Sequence, residues 1–239
     1  MRLNKYLSEA GFCSRREADR LIGEGRVTVN GLRARIGAEL GEEDVVAVDG
    51  QTVARRAAAA PHRRRHVYIA YHKPVGITCT TEQDVKGNII EAIGHEQRIF
   101  PIGRLDKDSE GLILLTSNGD IVNEILRAEN SKEKEYLVGV NKDVSPEFLR
   151  GMARGGIPMH GTKTLPCKVS KLGPVGFRIV LTQGLNRQIR LMCTHFGYRV
   201  KRLFRSRIVN IQIGRLKPGQ WRNLTDAELR GLLPNRTEW

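Results

Sequence analysis

The chain has 239 residues, with 40 Lys plus Arg against 26 Asp plus Glu, a formal net charge of +14. That length allows one large or two modest domains, and 40% hydrophobic residues can build a real core. The surplus of positive charge points to a polyanionic partner, nucleic acid above all, and no apolar window is long enough for a membrane-spanning helix. Cys13, Cys79, Cys167 and Cys193 show no C-x-x-C spacing, so reduced thiols in a cytoplasmic protein are expected rather than a zinc site.

From Met1-Arg-Leu-Asn-Lys5 the chain turns amphipathic at once, without the apolar core of a signal peptide. Leu3, Tyr6, Leu7 and Ala10 recur at i, i+3, i+4 and i+7, which predicts a short helix ended by Gly11. Ser14-Arg-Arg-Glu17 has the form of a capping box, opening a second helix that turns Ala18, Leu21 and Ile22 inward. Val27-Thr-Val29 and Val45 to Val48 read as strands, followed by the tight-turn pairs Asn30-Gly31 and Asp49-Gly50. Residues 1–35 carry eight Lys or Arg and four acids, whereas 36–53 carry five acids and no base. The cationic face of this module is therefore its helical half: Lys5, Arg15, Arg16, Arg20 and Arg26. Arg15, Arg16 and Arg20 are candidate RNA contacts, since a guanidinium forks onto phosphate oxygens. The competing reading is a solvated helix face paired with Glu17 and Asp19.

Residues 54–66 hold five arginines, a proline and no large apolar side chain, the composition of a linker between a domain at 1–53 and one at 67–239. In the larger domain, strands are predicted at Val67 to Tyr71, Ile99 to Ile102, Leu112 to Leu115, Tyr136 to Val140, Phe177 to Thr182 and Ile208 to Ile213. Helices are predicted at Asp120 to Arg127, Pro146 to Arg154, Asn186 to Phe196 and Asp226 to Leu233. Ser145-Pro146 reads as an N-cap with proline in the first turn, and Thr225-Asp-Ala-Glu228 as a capping box. Strands dominate without regular βαβ alternation, which argues for an α+β domain on a mixed or antiparallel sheet.

The run Phe100-Pro-Ile-Gly-Arg-Leu-Asp-Lys-Asp-Ser-Glu-Gly-Leu-Ile-Leu-Leu-Thr116 places a polar cluster between two apolar strands. A carboxylate in such a loop is partly desolvated at the rim of a sheet, where it can act as nucleophile or base. A second concentration of charge runs from Arg187 to Arg207, with seven bases and no acid. Ile189, Met192, Cys193 and Phe196 keep core spacing there, while Arg187 and Arg190 share another helix face behind the turn Gly184-Leu-Asn186. No phosphate-cradling or dinucleotide-binding glycine motif is present, and His160 and His195 lack metal-ligand spacing. An RNA-directed reaction without metal or cofactor is expected.

These motifs carry a resemblance. Gly103 to Gly111 with the following Leu-Ile-Leu-Leu-Thr-Ser-Asn-Gly119 resembles the catalytic segment of the RsuA-type pseudouridine synthases. Lys73-Pro-Val-Gly76, Lys134-Glu-Tyr136-Leu-Val138 and Gln183 to Gly197 resemble their upstream, tyrosine and arginine motifs, in family order. The Asn-Arg-Gln-Ile-Arg wording at 186–190 is most similar to the RluF branch, which modifies large-subunit ribosomal RNA; Leu191 departs from it, standing where that branch carries arginine. Residues 2 to about 50 resemble the RNA-binding module of ribosomal protein S4.

The resemblance implies an S4-like domain followed by a catalytic domain on a mixed, largely antiparallel sheet with flanking helices. It implies conversion of uridine to pseudouridine in 23S ribosomal RNA, in a stem-loop, with transfer RNA as a second candidate substrate, by a monomer needing no metal or cofactor. Asp106 would be the essential carboxylate, attacking the nucleotide or abstracting a sugar proton. Tyr136 would stack on the flipped uracil and offer its hydroxyl. Arg190, or second Arg187, would form the salt bridge that keeps Asp106 ionised. Arg104 would act as wedge or phosphate clamp, Ile189 would line the base pocket, and Asn186, Arg187 and Lys73 would join the substrate-binding set. Asp108 and Glu110 are expected to cap and solvate the loop. A non-catalytic RNA-binding protein and a hydrolase using Asp106 as base are the rival readings.

Overall fold

The computed structural model describes residues 1–54, 66–82, 84–126 and 132–236. It divides into two compact units, Met1–Arg64 and Arg65–Trp239. Of the linker expected at 54–66, residues 55–65 lie outside the described residues.

The first unit contains helices α1 (Leu3–Glu9) and α2 (Arg15–Gly23), then strands β1 (Val27–Val29), β2 (Leu32–Arg33), β3 (Val46–Val48) and β4 (Gln51–Thr52). The four strands form an antiparallel sheet in the order β2-β1-β3-β4. Leu3, Leu7, Ala18, Leu21, Val27 and Val46 pack as its core. Asn30 and Asp49 take left-handed φ of 52° and 50°, each followed by a left-handed glycine, the geometry that reverses a two-residue hairpin. The capping box at Ser14 forms only in part. The Ser14 hydroxyl accepts from the Glu17 N–H at 3.1 Å, but the Glu17 carboxylate turns to Arg20, where a full charge outcompetes a backbone amide.

The second unit contains β5 (Tyr68–Lys73), α3 (Ile89–Ile93), β6 (Phe100–Ile102), β7 (Glu110–Thr116), a 3₁₀ turn (Gly119–Ile121), α4 (Val122–Leu126), β8 (Lys134–Val140) and α5 (Pro146–Arg154). There follow β9 (Pro158–Met159), β10 (Thr162–Lys163), β11 (Lys168–Lys171), β12 (Gly176–Leu181), α6 (Gln188–His195), β13 (Val200–Ile208), β14 (Ile211–Gln212), β15 (Trp221–Asn223) and α7 (Asp226–Leu232). A nine-stranded sheet runs β11-β12-β8-β13-β7-β5-β15, with β6 on β7 and β14 on β13. β13 and β7 are parallel and the other pairings antiparallel, so the sheet is mixed and largely antiparallel.

Residues alternate between the two faces of the sheet. Ile69, Tyr71, Ile113, Leu115, Tyr136, Val138 and Phe177 pack on one face with Phe148 and Met152 of α5 and Ile189 and Met192 of α6. Tyr68, Ala70, Leu112, Leu114 and Ile208 pack on the other with Ile121, Leu229 and Leu232. Two-sided burial explains why Leu112 to Leu115 read as a continuous apolar run.

Two expectations change, and one strand was not expected. The strand expected at Ile208 to Ile213 is a hairpin, because Val209 takes a left-handed φ of 51° and β14 folds back on β13. The helix expected from Asp120 is a 3₁₀ turn followed by α4, started by the Asn118 side chain accepting from Asp120 N–H at 3.1 Å. The nine-residue β13 was hidden within the basic run, since Arg205 occupies an inward position where strand patterning expects an apolar residue.

Candidate active site

Gly103 and Gly111 bracket the loop after β6, with left-handed φ of 81° and 110°. A Cβ on Gly111 would come within 2.6 Å of the Arg205 backbone nitrogen and closer still to its carbonyl oxygen. Glycine there is what lets β7 and β13 pair in parallel at that point. Between them Asp106 O accepts from Ser109 N–H at 3.0 Å, closing a tight turn, and Lys107 O accepts from Gly76 N–H at 2.8 Å. Leu105 is buried, and its N–H lies 3.4 Å from the Cys79 sulfur. The backbone around Asp106 is thus held from both sides by apolar anchoring and main-chain bonds.

The Asp106 carboxylate lies in an open cleft of about 440 Å³ lined by Val75, Gly76, Asp106, Lys107, Asp108 and Arg187. Its side chain keeps 28% of its surface exposed, and Arg187 Nη1 and Arg190 Nε lie 3.6 and 3.8 Å from its Oδ2. α6 brings both arginines here: burying Ile189, Met192 and Cys193 turns Arg190 to the opposite face, and Arg187 is the helix N-cap. Arg187 adopts left-handed backbone, φ 50° and ψ 28°, a strain of roughly 1–2 kcal/mol for a residue with a Cβ. Such strain concentrates at functional sites.

Asp108 departs from the expectation of a capping residue. Arg187 Nη1 and Nη2 each lie 3.3 Å from its carboxylate, and Arg190 Nη2 lies 3.4 Å away. Burial alone would raise this carboxyl, but the Arg187 hydrogen bond and the Arg190 and Arg187 charges outweigh it and hold the group below the ordinary range. Arg190 also donates to Asp108 O at 2.9 Å and to the buried Ser109 hydroxyl at 3.0 Å. Glu110 pairs with Arg202.

The structure therefore brings Asp106, Arg187 and Arg190 together. Arg104 is exposed in the same loop, two residues before Asp106. Asn186 is exposed, its carbonyl 3.0 Å from His160 Nε2. Ile189 is 4% exposed and packs in the core that also holds Tyr136, itself 8% exposed. Lys73, expected among substrate contacts, is fully buried, with Nζ donating to Pro74 O at 2.8 Å and Ile77 O at 2.9 Å. Burial first of all pushes its ammonium below the ordinary lysine range. It supports the 74–77 loop from beneath instead of contacting a ligand at the rim. In the first unit Arg15, Arg16 and Arg20 are exposed on α2, and Arg20 is paired to Glu17 and Glu24.

Sequence reasoning missed Arg205. It stands opposite Tyr136 across β13 and β8, 4% exposed, with Nη1 3.4 Å from the Tyr136 hydroxyl and 3.5 Å from Arg104 O. The available signal was the nine-residue strand itself, masked by its own charge.

Residues 67–195 match the family described as RNA pseudouridylate synthase, and residues 1–53 match the S4 domain. The chain belongs to the RNA pseudouridine synthases. It is 56% identical over 229 residues to the dual-specificity RNA pseudouridine synthase RluF of Escherichia coli (strain K12), covering 96% of this chain and 77% of that one. It is 32% identical over 240 residues to ribosomal large subunit pseudouridine synthase B of Bacillus subtilis (strain 168), covering 97% and 95%. A crystal structure of a pseudouridylate synthase superposes with a TM-score of 0.69 at 24% identity, over 97% of this chain and 99% of that chain. The chain is thus an RNA-modifying isomerase of the RluF-like branch, with an S4 domain ahead of its catalytic domain. Among the described residues, no helix is long and apolar enough to cross a membrane.

Proposed function

We propose that this enzyme converts uridine to pseudouridine in 23S ribosomal RNA, with Asp106 as its catalytic carboxylate. The observation that carries the reading is the partly exposed Asp106 carboxylate in an open cleft with two guanidinium groups 3.6 and 3.8 Å from one oxygen. In the reaction the bond from ribose C1′ to uracil N1 breaks and a bond from C1′ to C5 forms. The proton leaves C5 and N1 ends protonated, so the product is an isomer with no net redox change. That balance is complete without metal or cofactor. Asp106 acts on the ribose, as nucleophile at C1′ or as base at C2′.

A uracil stacked in a stem cannot reach this carboxylate. The target nucleotide flips out at a cost of a few kcal/mol, least in an irregular stem-loop. Arg104, exposed two residues before Asp106, contacts the displaced strand, and Tyr136 meets the flipped base. The S4 domain and the basic surface of the second unit supply phosphate contacts, and the enzyme acts as a monomer. The dual specificity named for the RluF relative supports a second RNA class as substrate, with transfer RNA the candidate.

Asp106→Asn tests the reading. Pseudouridine formation, followed by carbodiimide labelling, falls by about 10³-fold or more, while RNA affinity stays within a few-fold. Normal turnover in that variant would remove Asp106 from the chemistry. Mapping of 23S and transfer RNA from cells with and without the gene tests the substrate. A 23S RNA unchanged by the deletion would refute that assignment.

A further inference from the structure

Arg205 is buried and, among the described residues, has no counter-ion. Its Nε donates to Leu112 O at 2.6 Å, and Nη1 shares longer bonds with Arg104 O at 3.5 Å and the Tyr136 hydroxyl at 3.4 Å. The guanidinium carbon lies 5.9 Å from the centre of the Tyr136 ring. Nη2 is buried with no partner, and no carboxylate pairs with Arg205, among the described residues. Arg187 and Arg190, by contrast, each pair with two aspartates.

For stability alone this is a poor arrangement. A buried charge that lacks an opposite charge is costly, and an apolar side chain of similar volume commonly serves a core better. A buried N–H left without a partner adds to that cost and calls for its own explanation, catalytic roles among them. Two nearby lysines register the charge. Lys73 and Lys134 are both pushed below the ordinary lysine range, chiefly by burial and further by Arg205.

The geometry states what the cation does. Arginine has five donors and no acceptor, so in its contact with Arg205 the Tyr136 hydroxyl must be the acceptor. Its own proton is thereby directed elsewhere. The same Nη1 holds the carbonyl of Arg104, at the start of the segment that carries Asp106. β13 can reach this place because Gly111 offers no Cβ against the Arg205 backbone.

We propose that Arg205 is a positioning residue of the isomerisation: it holds the Tyr136 hydroxyl as an acceptor, turning the phenolic proton toward the flipped uracil, and ties that tyrosine to the backbone preceding Asp106. The proposal rests on the reading that Tyr136 meets the base. Arg205 touches no substrate and acts through Tyr136.

A double-mutant cycle on the full chain separates this role from a packing role. Arg205→Met, Arg205→Lys, Tyr136→Phe and the two double variants are compared by single-turnover rate and by KM for the RNA, with thermal melting as the folding control. In wild type, Arg205→Met lowers the rate by about 10²-fold, with KM changed by less than about threefold. Arg205→Lys keeps the charge on a single donor nitrogen and loses less, which preserves the cycle if the methionine variant does not fold. In the Tyr136→Phe background either substitution at Arg205 costs no more than about threefold, because the group it acts through is gone. A loss that persists undiminished in that background overturns the proposal while leaving Tyr136 its role. Equally, a folded Arg205→Met with wild-type rate overturns it. Tyr136→Phe at full rate overturns the reading of the tyrosine hydroxyl itself, and the proposal with it.

Discussion

Arg190 Nε is buried without a hydrogen bond among the described residues and lies 3.8 Å from Asp106 Oδ2, while Nη2 of the same guanidinium donates to Asp108 O and Ser109 Oγ. One end of the side chain is thus fixed to the loop backbone and the other stands one short movement from the carboxylate. Catalytic hydrogen bonds are often long without substrate and tighten in the complex. Arg187 reaches the same oxygen at 3.6 Å from a side chain 45% exposed, against 13% for Arg190. The more buried pair is the one that solvent screens least.

Substituting the two arginines should therefore have unequal effects. Arg190→Met should lower kcat by about 10²-fold and destabilise the fold by about 1–3 kcal/mol, since Nη2 no longer satisfies Asp108 O and Ser109. Arg187→Met should cost about tenfold or less in kcat and show more of its effect in KM, as expected of a largely solvated ion pair. Steady-state kinetics with an RNA substrate check both, and equal losses would contradict the ranking.

The buried ammonium of Lys73 is expected to be a matter of stability. Lys73→Met removes both donors to Pro74 O and Ile77 O, and so loosens the loop whose Gly76 N–H holds Lys107 O. A loss of about 1–3 kcal/mol in denaturant unfolding is predicted, with RNA affinity close to wild type at low temperature. An affinity that collapses while stability holds would place Lys73 on the substrate after all.

Asp108 has a signed pH signature. Its folded-state carboxyl is held below the ordinary range, by Arg187 and Arg190 against the opposing effect of burial. A depressed carboxyl stabilises the fold above its unfolded value and loses that contribution as pH falls through the folded one. Asp108→Asn should therefore be slightly less stable than wild type at pH 7, by less than about 1 kcal/mol given a side chain 50% exposed. The two proteins should converge in unfolding experiments as pH drops below about 4. A gap that widens toward acid would refute the assignment.

On α2 of the first unit, reversing charge at Arg15 and Arg16 should act on binding alone. Arg15→Glu with Arg16→Glu is expected to weaken RNA affinity, more so at low salt, and to reduce the slope of log affinity against log salt by about two. Saturating turnover should be unchanged. An unaltered slope would mean these side chains do not meet phosphate.

Much of this architecture was legible in local pattern. The caps at Ser14, Ser145 and Thr225 each accept from the predicted backbone N–H, and the Leu112 to Leu115 run is a core strand. The loop of Asp106 stood out because six polar residues there separate two apolar runs that read as strands. Asn186 to Arg190 likewise announced a helix presenting guanidinium groups. What patterning could not show were charges that the fold takes inward. Lys73 was expected on the substrate, and its full burial is rare for a lysine, while Arg205 broke the alternation of its own strand. The sequence by itself determined most of the elements and the order of the two domains, since these rest on periodicity, caps and contiguous motifs, and it singled out Asp106 as the candidate carboxylate through its resemblance to the family. Only the tertiary structure decided that Arg187 and Arg190 share both Asp106 and Asp108, and that Arg205 is buried against Tyr136. Arg187, Arg190 and Arg205 lie roughly eighty to one hundred residues from Asp106 in the chain, and their burial and partners follow from the pairing of β13 with β7 and β8 and the packing of α6, which no local window contains.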